Sequence, residues 1–261
     1  NGAECEPYIT SDYRCFMEEG EDVLEGVLLM LKYLGIPKCI IGIEKNKPKA
    51  IEKMTRLCEK HDNITVKPLK SSYPQGAEKT LIFSTTGRVV KEGTLPLASG
   101  CIVINSSTAA FIAQYIRTGM PLVKRRITVD GNIVKKPSNF IVPVGMSIGE
   151  IVYYAELSDK PDRIILGGPM MGACAFDPDY PLSKTNNAVL MFADSPVYEP
   201  SECIRCGKCV KACSMNLLPT ELEHAFDMRD ARRLEKLKVN LCVNCGACSF
   251  VCPAKRNLAE K

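Results

Sequence analysis

The chain of 261 residues is long enough for two or three domains. Its hydrophobic content of 46% and charged content of 25% are those of an ordinary folded protein, and no apolar run reaches the length of about 18 residues that crosses a bilayer. Because the sequence shows no signal peptide and its net charge is only +4, we expect a cytosolic protein that does not bind nucleic acid.

The first 120 residues alternate between helical and strand patterns. Apolar residues recur with helical spacing over residues 21–34, and Gly35 and Pro37 mark the end of that helix. A buried strand is expected at 38–43. A helix, two strands and a second helix are then expected at 48–60, 64–68, 100–105 and 108–117. This order of elements predicts an α/β domain with a parallel sheet over residues 1–120.

Short strands replace this pattern after residue 120. Residues 122–137 alternate apolar and polar side chains around Asp130-Gly131, a dipeptide typical of hairpin turns. A strand, a helix capped near Ser147 and further strands within 162–172 and 186–192 follow. Two strands, a helix across them and returning strands predict a β-grasp domain of the SLBB type within residues 121–195. The Gly-Gly-Pro sequence at 167–169 lacks the Lys and Ser/Thr of a P-loop, so we interpret it as a tight turn.

Cysteine spacing is the strongest signal in the chain. Fourteen cysteines are present, and eight of them form two C-x2-C-x2-C-x3-C runs near the C-terminal end. This is the spacing of ferredoxins with two clusters, in which the fourth cysteine of each run binds the other cluster. We therefore assign one [4Fe–4S] cluster to Cys203, Cys206, Cys209 and Cys252, and the other to Cys242, Cys245, Cys248 and Cys213.

Zinc and disulfides are the alternative interpretations of these runs. Structural zinc would use two C-x2-C pairs and leave the third and fourth cysteines of each run without a role. Between the runs, Thr220 has the spacing of a helix N-cap with Glu223 as its capping-box partner. We therefore expect a mostly α-helical, ferredoxin-like domain over residues 196–261.

Histidine chemistry finds little support in the sequence. His61 and His224 are the only histidines, and neither has a Ser, Cys or Asp neighbour that marks it as a catalytic base. The sequence therefore favours electron transfer over hydrolysis, and we assign no residue a catalytic acid–base role.

Several segments together resemble a known family. NGAECEPY, YPQGAEKTLI, INSSTA, LVKRRITVDG, GGPMMG and the two cysteine runs occur in the order found in the C subunit of the Rnf complex. That complex is a membrane-bound ferredoxin:NAD oxidoreductase that couples electron transfer to sodium or proton pumping. The resemblance implies an oxidoreductase subunit bound peripherally at the cytoplasmic side of the membrane. Its implied partners are NAD(H) and other Rnf subunits, including an iron–sulfur subunit and membrane subunits.

The Rnf family is in turn related to the flavin- and NADH-binding subunit of respiratory complex I. This relation implies a Rossmann-like flavin and NADH domain over residues 1–120. The residues that match its FMN and NADH pocket are Asn1, Glu4, Glu6, Tyr73, Gly76, Glu78, Asn105 and Thr108. In both families a glycine-rich, phosphate-binding loop precedes the first of these segments, and this sequence contains no such loop. We therefore expect a fragment that carries one wall of the flavin site and is inactive with NADH by itself.

Three functions remain open at this point. The leading hypothesis is an Rnf-type subunit that relays electrons between two clusters and an FMN that exchanges hydride with NAD(H). The second is a corrinoid (cobalamin) reductase, whose members share the flavin, β-grasp and cluster layout. The third is a non-catalytic interaction module in which the clusters are only structural.

Overall fold

The computed structural model describes residues 1–194 and 196–260. An α/β unit comes first, and its elements are α1 (Ser11–Tyr33), β1 (Cys39–Glu44), α2 (Pro48–Cys58), β2 (Ile64–Leu69), α3 (Glu78–Thr86) and α4 (Ser106–Thr118). β1 and β2 pair in parallel, from Cys39 opposite Ile64 onward. α1 packs against α2 and α4, and the core between them contains the fully buried Phe16, Ile43 and Met54. The predicted α/β order is confirmed.

Helix α1 begins ten residues before the predicted start. The polar residues around Gly20 interrupt the apolar pattern, and Glu19 has non-helical backbone angles, φ −123° and ψ 26°. The helix nevertheless continues to Ser11, because Cys15 and Phe16 are buried against the core. Helix α3 had no sequence prediction, since only two of its residues are buried and its apolar spacing is weak.

The prediction of a strand at 100–105 is wrong. Residues 101–105 belong to no strand. The Asn1 ammonium donates to the Ile104 carbonyl at 2.6 Å, and Ser106 N–H donates to the Asn1 carbonyl at 3.1 Å. Gly2 in turn bridges to Ile43 of β1. A strand needs a neighbouring strand to pair with. Here the first two residues of the chain lie between residues 101–105 and β1, so these residues do not pair with β1.

A mixed five-stranded sheet forms the second unit. Its elements are β3 (Lys124–Asp130), β4 (Ser138–Pro143), α5 (Ile148–Tyr154), β5 (Arg163–Leu166), β6 (Ala173–Cys174) and β7 (Ala188–Phe192), and the strand order is β4-β3-β7-β5-β6. β3 is antiparallel to β4 and parallel to β7, and β7 is antiparallel to β5. Helix α5 is capped by Ser147, as the sequence predicted, and Glu150 completes a capping box with it.

The β3–β4 hairpin is confirmed, but its connection is longer than the two-residue turn that Asp130-Gly131 suggested. Residues 131–137 form the loop. Asn132 Nδ2 donates to the Ala193 carbonyl at 2.8 Å, and Ala193 N–H donates back to Asn132 Oδ1. A Cβ on Gly131 would lie 1.8 Å from the Met191 carbonyl oxygen. Glycine is therefore needed at this position, because a side chain would prevent the backbone from lying this close to β7.

The third unit is built on short helices, α6 (Lys208–Ala212), α7 (Pro219–Asp227), α8 (Ala231–Lys236) and α9 (Ala247–Phe250), joined by irregular segments that hold more residues than the helices do. The predicted cap at Thr220 is wrong. The cap position is Leu218, because Pro219 has the fixed φ that suits the first helical residue. Glu223 makes no capping box and instead pairs with Arg256.

Residue 195, the expected boundary between the second and third units, and residue 261 lie outside the described residues. Over residues 1–194 and 196–260, no helix combines the length and apolar character needed to cross a bilayer.

Candidate functional site

The eight clustered cysteines surround two separate cavities. One, of about 650 Å³, is lined by Cys203, Cys206, Cys209 and Cys252. The other, of about 230 Å³, is lined by Cys213, Cys242, Cys245 and Cys248. Hereafter these are the first-run cavity and the second-run cavity. The fold thus brings the fourth cysteine of each run to the cavity formed by the other run.

Both runs fold in the same way, because they share the same backbone turns. Gly207 and Gly246 both have φ of +73° and begin the short helices α6 and α9. Arg205 and Asn244, two residues after the first cysteine of each run, are also left-handed, with φ of 55° and 49°. Their N–H groups donate to Cys203 Sγ and Cys242 Sγ, both at 3.4 Å. Such N–H···S bonds stabilise the thiolate form that binds iron.

The two cavities fit iron–sulfur clusters better than single ions. In the described part of the chain, no group of three or more His, Cys, Asp or Glu side chains is arranged to hold one metal ion. The cysteines instead stand around a space. Four thiols per cavity are the donor set of a [4Fe–4S] cluster. This arrangement disfavours the zinc alternative, in which four ligands converge on one point.

The surroundings of the cavities differ in polarity. The first-run cavity has the more polar lining, which includes Arg205, His224 and Arg233. Glu223, which is 5% exposed and accepts a hydrogen bond from Arg256 Nε at 2.9 Å, lines both cavities. The second-run cavity is mainly apolar, with Leu217, Leu222, Phe226, Val239 and Leu258 among its lining residues. Burial raises the pKa of the Cys245 and Cys248 thiols. Ligation of iron there must therefore release protons.

Three of the residues expected at the flavin site are brought together at the start of the chain. Asn1 Nδ2 donates to the Gly76 carbonyl at 3.1 Å. A Cβ on Gly76 would lie 2.4 Å from the Ala3 carbonyl oxygen, so only glycine fits there. Asn105 caps α4, since its Oδ1 accepts from Ser107 N–H at 2.9 Å. These contacts fix the backbone of all three predicted segments in one wall.

Glu4 lies in a cavity of about 700 Å³ beside this wall. Its Oε2 accepts the Asp12 N–H at 3.0 Å and the Ser11 hydroxyl at 3.3 Å. Burial, followed by the negative charge of Asp12, raises the pKa of Glu4 from 4.5 to about 8. The raised pKa favours the protonated form of Glu4 at neutral pH.

Glu6 and Tyr73 contact the other two units. Glu6 Oε2 accepts the Met170 N–H at 3.0 Å, from the turn that the sequence predicted at 167–169. The Tyr73 hydroxyl donates to the Cys245 carbonyl at 2.5 Å. Burial, then the nearby Glu6 and Cys245, raise the pKa of Tyr73, so its hydroxyl remains a donor. These two side chains join the flavin wall to the second-run cavity.

Glu78 and Thr108 stand apart from these contacts. Glu78 is the first residue of α3 and Thr108 lies in the first turn of α4, and both are exposed. Their side chains make no hydrogen bond within the described residues.

Two polar residues of the site were missed by sequence reasoning. Asp12 accepts a hydrogen bond from Asn105 Nδ2 at 2.8 Å, and it lies in the part of α1 that the apolar pattern did not reveal. Lys47 donates to the Glu4 carbonyl at 3.0 Å and pairs with the buried Glu44 at 2.5 Å. A lysine placed directly before Pro48, at the start of a helix, carries no signal that distinguishes it from a surface residue.

Comparison with known proteins identifies two family domains in this chain. The model of the Nuo51 FMN-binding domain matches residues 1–114. The model of the 4Fe-4S dicluster domain matches residues 202–256. These matches cover the wall with Glu4 and both cysteine runs.

Similar proteins include the C subunit of the proton-translocating ferredoxin:NAD(+) oxidoreductase complex of Clostridium ljungdahlii, 40% identical over 92% of this chain and 53% of that protein. The Na(+)-translocating counterpart of Acetobacterium woodii is 39% identical over 85% of this chain and 51% of that protein. This chain therefore spans about half the length of these relatives.

The fold also matches a solved structure. The NAD+-reducing [NiFe]-hydrogenase in the H2-reduced state gives a TM-score of 0.67, with 17% identity over 100% of this chain and 53% of that one. This likeness concerns the fold. The two domain matches and the 37–40% identity to relatives over most of the chain confirm the resemblance drawn from the sequence. The chain is a homologue of the C subunit of the Rnf complex.

Proposed function

We propose that this chain relays electrons in an ion-translocating ferredoxin:NAD+ oxidoreductase complex, between two [4Fe–4S] clusters and an FMN that exchanges hydride with NAD(H). A cluster carries one electron at a time, whereas NAD+ takes up two electrons together, so a flavin must mediate between them. Two reduced clusters hold two electrons, enough to form one NADH from NAD+ and one proton.

One observation carries this proposal. Eight cysteines surround two cavities, and one of these cavities is joined to the flavin wall by the hydrogen bond from Tyr73 to Cys245. A purely structural use of the clusters would not need that contact. The crossed ligand assignment follows: Cys252 serves the first-run cluster and Cys213 serves the second-run cluster.

The flavin site belongs to the full-length protein, which would bind FMN and NAD(H). In this chain Asn1, Gly76 and Asn105 hold the backbone of the wall, and Glu4 holds a proton beside the cavity. Glu6 and Tyr73 connect the wall to the rest of the molecule. Glu78 and Thr108, which are exposed, are available to a ligand or to another segment.

The second unit is proposed to be a β-grasp domain of the SLBB type. Its strand order β4-β3-β7-β5, with a central parallel pair and a helix after the first hairpin, supports this assignment. We accordingly divide the chain into a partial Rossmann-like flavin domain at 1–120, the β-grasp domain at 121–195 and the ferredoxin-like domain at 196–261.

Other subunits of the same complex are the proposed partners, including an iron–sulfur subunit and membrane subunits. The names of the relatives describe complex subunits that translocate ions. A subunit in such a complex would lie peripherally at the cytoplasmic side of the membrane, where NAD(H) is available. The same names favour this function over the corrinoid reductase.

NAD+-driven oxidation of the reduced clusters tests the proposal. The full-length protein, loaded with both clusters and FMN, is reduced anaerobically and mixed with NAD+. We expect both EPR signals of the reduced clusters to disappear as NADH forms, one NADH for the two cluster electrons and one for the two electrons of the reduced FMN, and the reaction to fail without FMN. Clusters that resist NAD+ but are oxidised by a corrinoid would refute the proposal in favour of the reductase.

A further inference from the structure

Tyr73 lies between the candidate flavin cavity and the second-run cavity. Its side chain lines the cavity that also contains Glu4 and Glu6. Its hydroxyl donates to the Cys245 carbonyl, 172 residues away in sequence, at 2.5 Å. This carbonyl belongs to the loop that supplies three of the four thiols of the second-run cavity. One side chain therefore touches both places between which electrons would pass.

The turn at 167–172 holds the same loop at a second point. The Met170 carbonyl oxygen lies close enough to Gly246 that a Cβ there would be 3.1 Å away. The same Met170 donates its N–H to Glu6 at 3.0 Å. Glu6 also lies close to Gly168, since a Cβ there would be 2.2 Å from the Glu6 carboxylate. Both contacts of the loop therefore lead back to the flavin wall.

The first-run cavity lacks such a connection. The lining residues of both cavities lie between 203 and 259, so the difference lies in the hydrogen bonds that the cysteines receive. In the described part of the chain, the four cysteines of the first-run cavity receive no hydrogen bond from residues 1–120. The contact at Cys245 therefore distinguishes the two clusters.

We propose that Tyr73 is a positioning residue that holds the second-run cluster against the flavin wall and raises its reduction potential. This inference rests on the proposed function, because it requires a cluster in that cavity. The positive end of the hydroxyl dipole points at a peptide of the ligand loop. Hydrogen bonds and dipoles of this orientation stabilise the reduced, more negative cluster. The same bond fixes the loop at one distance from the flavin wall.

The test is Tyr73→Phe in the full-length holoprotein, because this change removes the hydroxyl and keeps the ring. A redox titration monitored by EPR should show a lower potential for the second-run cluster only. A tenfold change in its reduction equilibrium would correspond to about 59 mV. Tyr154→Phe, at a position on α5 that is 65% exposed, is the matched control and should leave both potentials unchanged.

Each EPR signal is assigned with Cys206→Ser, which alters the first-run cluster, and Cys248→Ser, which alters the second. A fall in potential confined to the second-run signal in Tyr73→Phe, or selective loss of that cluster, supports the proposal, and a rise in that potential would overturn it. Two unchanged potentials, a shift confined to the first-run cluster, or loss of both clusters would overturn it. Failure of the proposed function differs from all of these, since it shows in the unaltered protein, whose two clusters would give their EPR signals but would not be oxidised by NAD+.

Discussion

Replacing Glu4 by Gln should change how the stability of the protein depends on pH. Glu4 has a pKa raised from 4.5 to about 8, chiefly by burial and then by Asp12. Between these two values the folded state binds a proton that the unfolded state releases. The free energy of unfolding of the wild type should therefore fall as pH rises from about 4.5 to about 8. Glutamine keeps an oxygen acceptor for Asp12 N–H but cannot titrate, so this loss should vanish in the variant.

The size of the effect follows from the same two pKa values. At about 1.4 kcal/mol for each pH unit, the rise to about 8 sets an upper limit of about 5 kcal/mol. Glu4 and Asp12 are neighbouring carboxyl groups whose titrations influence each other, so the full limit is not expected. Between pH 4.5 and 8, the free energy of unfolding of the variant should rise relative to that of the wild type by at least about 2 kcal/mol.

The assay is anaerobic urea denaturation of flavin-free protein, followed by circular dichroism at several pH values. Subtracting the wild type from Glu4→Gln at each pH removes the titrations that the two proteins share. Glu78→Gln, at an exposed position, is the matched control and should track the wild type. Parallel curves for Glu4→Gln and the wild type would refute the assignment of a buried, protonated carboxyl at this site.

Four further changes test the cluster-binding unit. Cys213→Ser should disturb the EPR signal of the second-run cluster and leave the first intact, because Cys213 lines that cavity; the reverse pattern would contradict the crossed assignment. Gly207→Ala, at φ +73° with open space around it, should lower the free energy of unfolding by about 1 kcal/mol. Gly246→Ala should cost more at the same φ, because its Cβ would press on a backbone oxygen at 3.1 Å, and equal losses in urea denaturation would argue against that contact. Arg256→Met removes the ion pair to buried Glu223 and should lower the free energy of unfolding by about 1–3 kcal/mol. This is less than for a fully buried pair, because the Arg256 side chain is 24% exposed and water screens its charge. An unchanged urea midpoint would show that the pair contributes nothing.

The cysteine loops could be predicted from the sequence because their determinants are local. Spacings of two and three residues fix which thiols can face one cavity. Gly207 and Gly246 supply the left-handed turn that begins each short helix. The predicted cap at Ser147 is confirmed for the same reason, since the groups that it caps lie within one helical turn.

Features that depend on distant parts of the chain could not be predicted in this way. Residues 101–105 have the composition of a strand, but strand formation depends on a neighbour, and Asn1 is the neighbour that the described residues supply. The proton on Glu4 depends on burial beside Asp12. The bond from Tyr73 to Cys245 joins residues from two domains. No local pattern in the sequence carries these contacts.

Electrons are proposed to pass between the flavin and the first-run cluster by way of the second-run cluster. The decisive experiment uses full-length, FMN-loaded protein that is reduced anaerobically, mixed with NAD+ and frozen at successive times for EPR. In Cys206→Ser, which alters the first-run cluster, the second-run cluster should be oxidised as fast as in the wild type. In Cys248→Ser, which alters the second, the first-run cluster should stay reduced in the presence of NAD+ while a chemical oxidant still oxidises it. Oxidation of the first-run cluster by NAD+ at the wild-type rate in Cys248→Ser would rule out this order of transfer.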